Sequence, residues 1–331
     1  MADTAYDTTP GALVAAEPKG TSALHRTIFI VLVAALAVLP FIPVIGYPFF
    51  LMKVLCFALF ACAFNLMLGY GGLLSFGHAA YFGLASYVSA YTAKHWGLTP
   101  ELSILLGTAS GAVLGFVFGS LAIRRQGIYF SMITLALAQM VFFFALQTPR
   151  FTGGEDGIQA VPRNNLFGFI PVGSDLQMYY LVAAVFIAGI LLIYRIIHSP
   201  FGQVLKAIRD NEPRAISLGY RVNQYKLTVF VLSATLAGLA GSTKAIAVQL
   251  ASLTDVQWQM SGEVVLMTLV GGMGTVFGPI VGAAVIISMQ NFLAGLGAWV
   301  TVVQGGIFVV CVLVFREGIV GVIGKLLRRP L

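Results

Sequence analysis

The chain has 331 residues, 59% of them hydrophobic and only 9% charged, with a formal net charge of +7 and a mean hydropathy of +0.93. A soluble domain carries roughly a quarter of its residues charged, so this sequence lacks the polar surface to face water and reads as a polytopic membrane protein. Its apolar runs have the roughly 20-residue length of spanning helices, without the alternation of barrel strands, which excludes a transmembrane β-barrel.

Residues 1–26 are polar, have no apolar core and read as a disordered tail. Apolar segments follow at about 28–46, 48–69, 73–93, 101–123, 127–147, 177–198, 226–247, 262–274, 278–296 and 299–317. The expectation is therefore an all-α protein of about ten transmembrane helices. The eighth segment is short enough to be broken or re-entrant, which makes the range eight to ten. Pro40, Phe41 and Pro43 stand where a cleaved leader would need small residues, so the first segment is read as a retained span. The transmembrane domain covers 27–320, and a basic tail covers 321–331. Cys56, Cys62 and Cys311 lie inside apolar runs without CxxC spacing and read as small packing residues.

Lys and Arg set the orientation. Lys19, Arg26, Arg124, Arg125, Arg195, Lys206, Arg209, Arg214, Arg221, Lys226, Arg316, Lys325, Arg328 and Arg329 all fall on one side if ten helices alternate. The other side receives Lys94, Arg150 and Arg163, with Lys53 and Lys244 near helix ends. This asymmetry places both termini in the cytoplasm and the loop 148–176 outside.

Ionisable residues at mid-membrane mark ion and proton pathways, and the sequence offers few. The acidic residues fall in loops, tails or near helix ends. Lys53 is placed to snorkel, and His78, the one histidine inside a segment, reads as a hydrogen-bonded packing residue. Nor is the chain built to hydrolyse ATP. The nearest imitation of a phosphate-binding loop, Gly318 to Lys325, has five residues between its outer glycines, and Leu326 stands where a hydroxyl is needed. No metal cluster, triad or dinucleotide fingerprint appears, so the chain is read as a non-enzyme without a bound cofactor. Any driving energy must come from a gradient or a partner.

The stretch Ser199–Lys226 interrupts this apolar pattern. Gly202–Leu218 is expected to form a short helix that Pro213 bends or divides and Gly219 terminates. Val204, Leu205 and Ile208 form an apolar face, and Lys206, Arg209, Asp210, Glu212 and Arg214 a charged one. Such an element suits a helix lying on lipid headgroups. It equally suits a lever docked in a groove of a soluble subunit.

The residues also carry a resemblance. SPFGQVLKAIRDNEPRAISLGYRVNQYKLTVFVLSATLAGLAG resembles the cytoplasmic loop and following helix of LivM-type permeases, the membrane subunits of ABC importers for branched-chain amino acids. NLMLGYGGLLSFGHAAYFGLASY, FTGGEDGI and SGEVVLMTLVGGMGTVFGPIVGA are similar to that family's N-terminal glycine block, external loop and C-terminal glycine block. Together they span about 50–317; Pro213 departs from the usual pattern. The resemblance implies the larger importer permease fold in a bacterial inner membrane. Its partners would be a second homologous permease, two cytoplasmic ATPase subunits that carry ATP and Mg, and a periplasmic binding protein, with no nucleic acid. It implies an ATPase-coupling interface at Gly202, Lys206, Ala207, Arg209, Asn211, Glu212, Arg214 and Gly219. A translocation path is expected around Asn65, Gly71, Gly72, Ser75, Phe76, Gly77, His78, Ser261, Glu263, Gly271, Gly272, Gly274 and Thr275. Binding-protein docking is expected at Gly153, Gly154, Glu155 and Asp156. Urea, amides and aromatic acids are alternative substrates, and a passive channel or ion-coupled carrier is the alternative machine. The two glycine blocks also echo each other: Gly71-Gly72 precede Phe76-Gly77, and Gly271-Gly272 precede Phe277-Gly278, which suggests an internal duplication.

Overall fold

A computed structural model describes residues 19–41, 47–169, 171–293 and 318–326, with scattered positions between 295 and 309. In chain order it contains α1 (Lys19–Val38), α2 (Pro48–Asn65), α3 (His78–His95), α4 (Pro100–Ala122), α5 (Ile128–Gln147) and α6 (Pro149–Thr152). There follow β1 (Ile158–Gln159), α7 (Asp175–Ile197), α8 (Pro200–Asp210), α9 (Glu212–Ser217) and α10 (Val222–Val248). The rest is β2 (Leu250–Ala251), α11 (Trp258–Gly271), α12 (Gly278–Leu293) and α13 (Gly318–Leu326). Proline, whose missing N–H suits a helix start, opens α2, α4, α6 and α8. A reciprocal Ser174–Gln177 capping box opens α7.

The chain is thus an all-α polytopic membrane protein; β1 and β2, two residues each, pair antiparallel. Among the described residues five helices are long and apolar enough to cross a membrane: Pro48–Tyr70, Pro100–Ala122, Ile128–Gln147, Asp175–Ile197 and Val222–Val248. Two expectations change. Residues 19–26, expected as tail, are the first turns of α1; residues 1–18 lie outside the described residues. The third apolar segment becomes helical only at His78, because 72–77 is irregular backbone between the π-turn and α3. Non-helical backbone at membrane depth needs partners, and α5 supplies them: Ser131 Oγ donates to the Leu74 carbonyl (2.7 Å) and Thr134 Oγ1 accepts from Phe76 N–H (3.2 Å). The eighth and ninth segments form a hairpin of two short helices, α11 and α12, around a glycine-rich break. The tenth, 299–317, lies largely outside the described residues.

α10 sits at the centre, packed by α2, α3 and α4. The contact with α4 depends on a stripe of Gly107, Gly111, Gly115 and Gly119, spaced one residue in four. A Cβ on Gly115 would stand 2.4 Å from that of Ala234, and one on Gly107 2.7 Å from that of Ser242. Hydrocarbon offers no hydrophobic drive between helices, so backbone proximity of this kind carries the association. We expect Gly115→Leu to push α4 off α10 at a cost of about 1–3 kcal/mol, read as a lower unfolding midpoint in detergent. An unchanged midpoint would show that the stripe is not a packing seam. The outer faces of α4 and α5, with Leu105, Val113, Phe116, Met132 and Met140, are exposed, as lipid-facing surface must be.

Candidate functional site

The two glycine blocks, about 200 residues apart in sequence, meet in space. α2 ends at Asn65 and continues as a π-helical turn, Leu66–Tyr70, a distortion frequent at functional positions. The Asn65 side chain uses both ends of its amide across the gap. Its Nδ2 donates to the Thr275 carbonyl (2.8 Å) and its Oδ1 accepts from Gly274 N–H (2.9 Å). The break between α11 and α12 is therefore fastened to the break after α2. Gly69 must be glycine here, since a Cβ would lie 2.3 Å from Asn65 Oδ1 and 2.7 Å from Gly274 N. Gly272 and Gly274 turn the second break at φ of 126° and 79°, a region that favours glycine.

The polar segment 199–226 reaches the same junction. Arg209 of α8 donates from Nη1 to the Gly69 carbonyl (2.5 Å), while Nε and Nη2 are held by Asp210 Oδ1 at 3.1 and 3.0 Å. The Lys206 ammonium lies 5.7 Å from the centroid of the Tyr70 ring. Two of the expected charged-face residues thus turn back onto the π-turn. Glu212 instead turns to α10 and the α4–α5 connection, pairing with Lys226 (2.7 Å) and accepting from Gln126 (3.0 Å). Asn211 separates α8 from α9 in an extended conformation and accepts from Arg214 N–H (3.0 Å). The division thus falls two residues before Pro213, which occupies the first turn of α9. Gly202 is buried against the end of α7, and Gly219 stops α9 at φ 86°. Ala207, Asp210, Arg214, Ile216 and Leu218 are left exposed.

The remaining expected path residues divide. Ser75, His78 and Ser261 are fully buried and committed to the fold. Ser75 accepts from Gly77 N–H and Ser261 from Ala79 N–H, at 3.1 and 2.9 Å. Ser233 Oγ donates to the Ala63 carbonyl, so His78 Nε2–H is the donor of the 2.8 Å contact to that hydroxyl. The imidazole lies among Phe64, Tyr81 and Phe230, a packing position. Gly71 is buried, and its N–H bonds the Met67 carbonyl. Gly271 and Gly278 touch so closely that a Cβ on the former would lie 2.0 Å from the latter's carbonyl oxygen. Gly72, Phe76, Glu263, Gly274 and Thr275 remain partly or fully exposed.

On the opposite side, Gly153 and Gly154 turn the loop at φ of 79° and 66° and present exposed Glu155 and Asp156. Arg163 pins that loop, bonding Asp175 (2.6 Å) and the Ala247 carbonyl.

One cluster was not foreseen. The segment after α10 folds back into the bundle, where Lys244 and Asp255 form an ion pair of 2.7 Å with residue exposures of 5% and 3%. Lys53 of α2 lies within electrostatic reach of the pair and of Glu263 of α11. The sequence signal was weak, because Asp255 reads as an ordinary loop acid until the loop is seen to re-enter. Among the described residues no His, Cys, Asp and Glu group is suited to a metal ion.

Known proteins give this geometry a context. A family profile described as "Branched-chain amino acid transport system / permease component" matches residues 47–312. The high-affinity branched-chain amino acid transport system permease protein LivM of Escherichia coli K12 is 24% identical, across 90% of this chain and 76% of its own length. LivM of Salmonella typhimurium is also 24% identical, across 77% of this chain and 65% of its own length. The ribose import permease protein RbsC of Escherichia coli K12 is 28% identical, across 59% of this chain and 60% of its own length. No solved structure matches. With four-fifths of its length under one profile, glycine blocks included, the chain belongs to the family of permease components of branched-chain amino acid transport systems.

Proposed function

We propose that the chain is the membrane-spanning subunit of an ATP-driven importer of branched-chain amino acids, and that α8 and α9 are the lever through which partner ATPases move it. The observation that carries this is the Arg209–Gly69 hydrogen bond beside the Asn65 clamp. A displacement of α8 is transmitted in one step to the π-turn of α2 and in a second step to the α11–α12 break. Rigid elements joined at a glycine-rich break are what alternating access requires. The exposed Ala207, Arg214, Ile216 and Leu218 give the ATPase a mixed apolar and basic surface.

The complete assembly in this reading holds a second, homologous permease, two ATPases with their ATP and Mg, and a periplasmic binding protein docking around Glu155 and Asp156. The chain crosses a bacterial inner membrane about ten times with both termini in the cytoplasm, and the path runs between Gly72, Glu263, Gly274 and Thr275. Selectivity rests largely with the binding protein.

The test is Arg209→Ala in proteoliposomes holding the whole importer. ATP hydrolysis stimulated by loaded binding protein should persist while leucine uptake falls about tenfold, the effect of losing one charge-assisted hydrogen bond. Uptake that ignores both ATP and the substitution would instead identify a passive channel or ion-coupled carrier.

A further inference from the structure

The charge cluster beside α2 is unevenly satisfied. Lys244 and Asp255 neutralise each other, Asp255 Oδ2 also accepts from Ser252 N–H (3.2 Å), and Lys244 also reaches the Leu250 carbonyl (3.4 Å). This pair is buried and complete. Glu263 is held by one oxygen only: Oε2 accepts from Gln290 Nε2 of α12 (3.1 Å), and Oε1 has no partner among the described residues. Lys53 makes no ion pair or hydrogen bond with any described residue, although Glu263, Asp255 and Lys244 lie within electrostatic range of it and α2 packs directly against α11. Both Lys53 and Glu263 are partly exposed, on helices that pack together.

An ammonium and a carboxylate left apart in a largely apolar bundle are costly unless something joins them. We propose that Lys53 and Glu263 form a contact site for a zwitterionic α-amino acid in transit, Lys53 holding its carboxylate and Glu263 its ammonium group. The inference rests on the importer reading above. Gln290 fixes the Glu263 carboxylate, and the saturated Lys244–Asp255 pair keeps the surroundings neutral. A neutral sugar offers neither charge. Lys53 precedes Asn65 by twelve residues, about 18 Å along a helix, so the site lies toward the end of the bundle away from α8. A substrate would meet it before the junction of the breaks.

The experiment uses the full importer in phosphatidylcholine vesicles, with leucine uptake and binding-protein-stimulated ATP hydrolysis measured together. Lys53→Gln and Glu263→Gln should each lower leucine uptake about tenfold while ATP hydrolysis stays within about twofold. Lys53→Arg and Glu263→Asp, which keep the charges, should retain most of the uptake. Normal uptake in both Gln variants would overturn the site, as would parallel loss of uptake and ATP hydrolysis, which marks a structural role. An effect seen only when phosphatidylethanolamine is added would overturn it in favour of a lipid headgroup. If the native importer hydrolyses ATP on a loaded binding protein yet moves no leucine, the amino-acid reading itself fails and the site falls with it.

Discussion

Lys244→Met should destabilise the protein by about 3–5 kcal/mol, because it leaves Asp255 charged, buried and without its partner. The double substitution Lys244→Met/Asp255→Leu should recover most of that loss, since an apolar pair of similar volume needs no desolvation of charge. The measurement is detergent-solubilised unfolding of the native chain and the two variants. Equal loss in single and double variants would mean that packing around the two side chains, not their charges, holds this corner. The expected difference is large because Asp255 also fixes the turn before α11 through Ser252. Losing the pair would free the whole re-entrant segment.

Gly282→Ala should open the α11–α12 hairpin. Its Cβ would sit 1.8 Å from the Met267 carbonyl oxygen and 2.8 Å from Gly271 N, both backbone atoms that cannot move aside by changing rotamer. The cost belongs at the upper end of the about 1–3 kcal/mol of overpacked sites, and the Asn65 clamp should loosen with it. Gly262 in α11 is the control, since a Cβ there meets nothing within 4 Å. Gly262→Ala should be neutral, or should stabilise by roughly 0.5–1 kcal/mol through helix propensity. Unfolding midpoints of the two variants decide the matter. Equal midpoints would sink the idea that hairpin contact, not glycine content, sets the sensitivity.

Both cases show where sequence and structure part. The spans 48–69, 101–123, 127–147, 177–198 and 226–247 match α2, α4, α5, α7 and α10 closely, because hydrocarbon thickness and proline starts act locally. His78, read in sequence both as a packing residue and as part of the path, is buried among aromatic rings. Lys53 needs more than its local sequence to be understood. It reads in sequence as a snorkelling lysine, while the structure puts Glu263 and the buried Lys244–Asp255 pair within its electrostatic range, an arrangement that needs the loop after α10 to fold back.

Composition and spacing by themselves determined the membrane class, most helix positions, the interrupted helix at 200–217 and, through the motif resemblance, the family. The tertiary structure alone decided that the two glycine blocks touch, that Asn65 binds both sides of the gap, that Arg209 reaches Gly69 and that Glu212 pairs with Lys226. The physical reason is separation in the chain. Helix formation depends on neighbours a few residues away, while Asn65 and Gly274, or Gly69 and Arg209, become neighbours only after α2, α8 and α11 have packed.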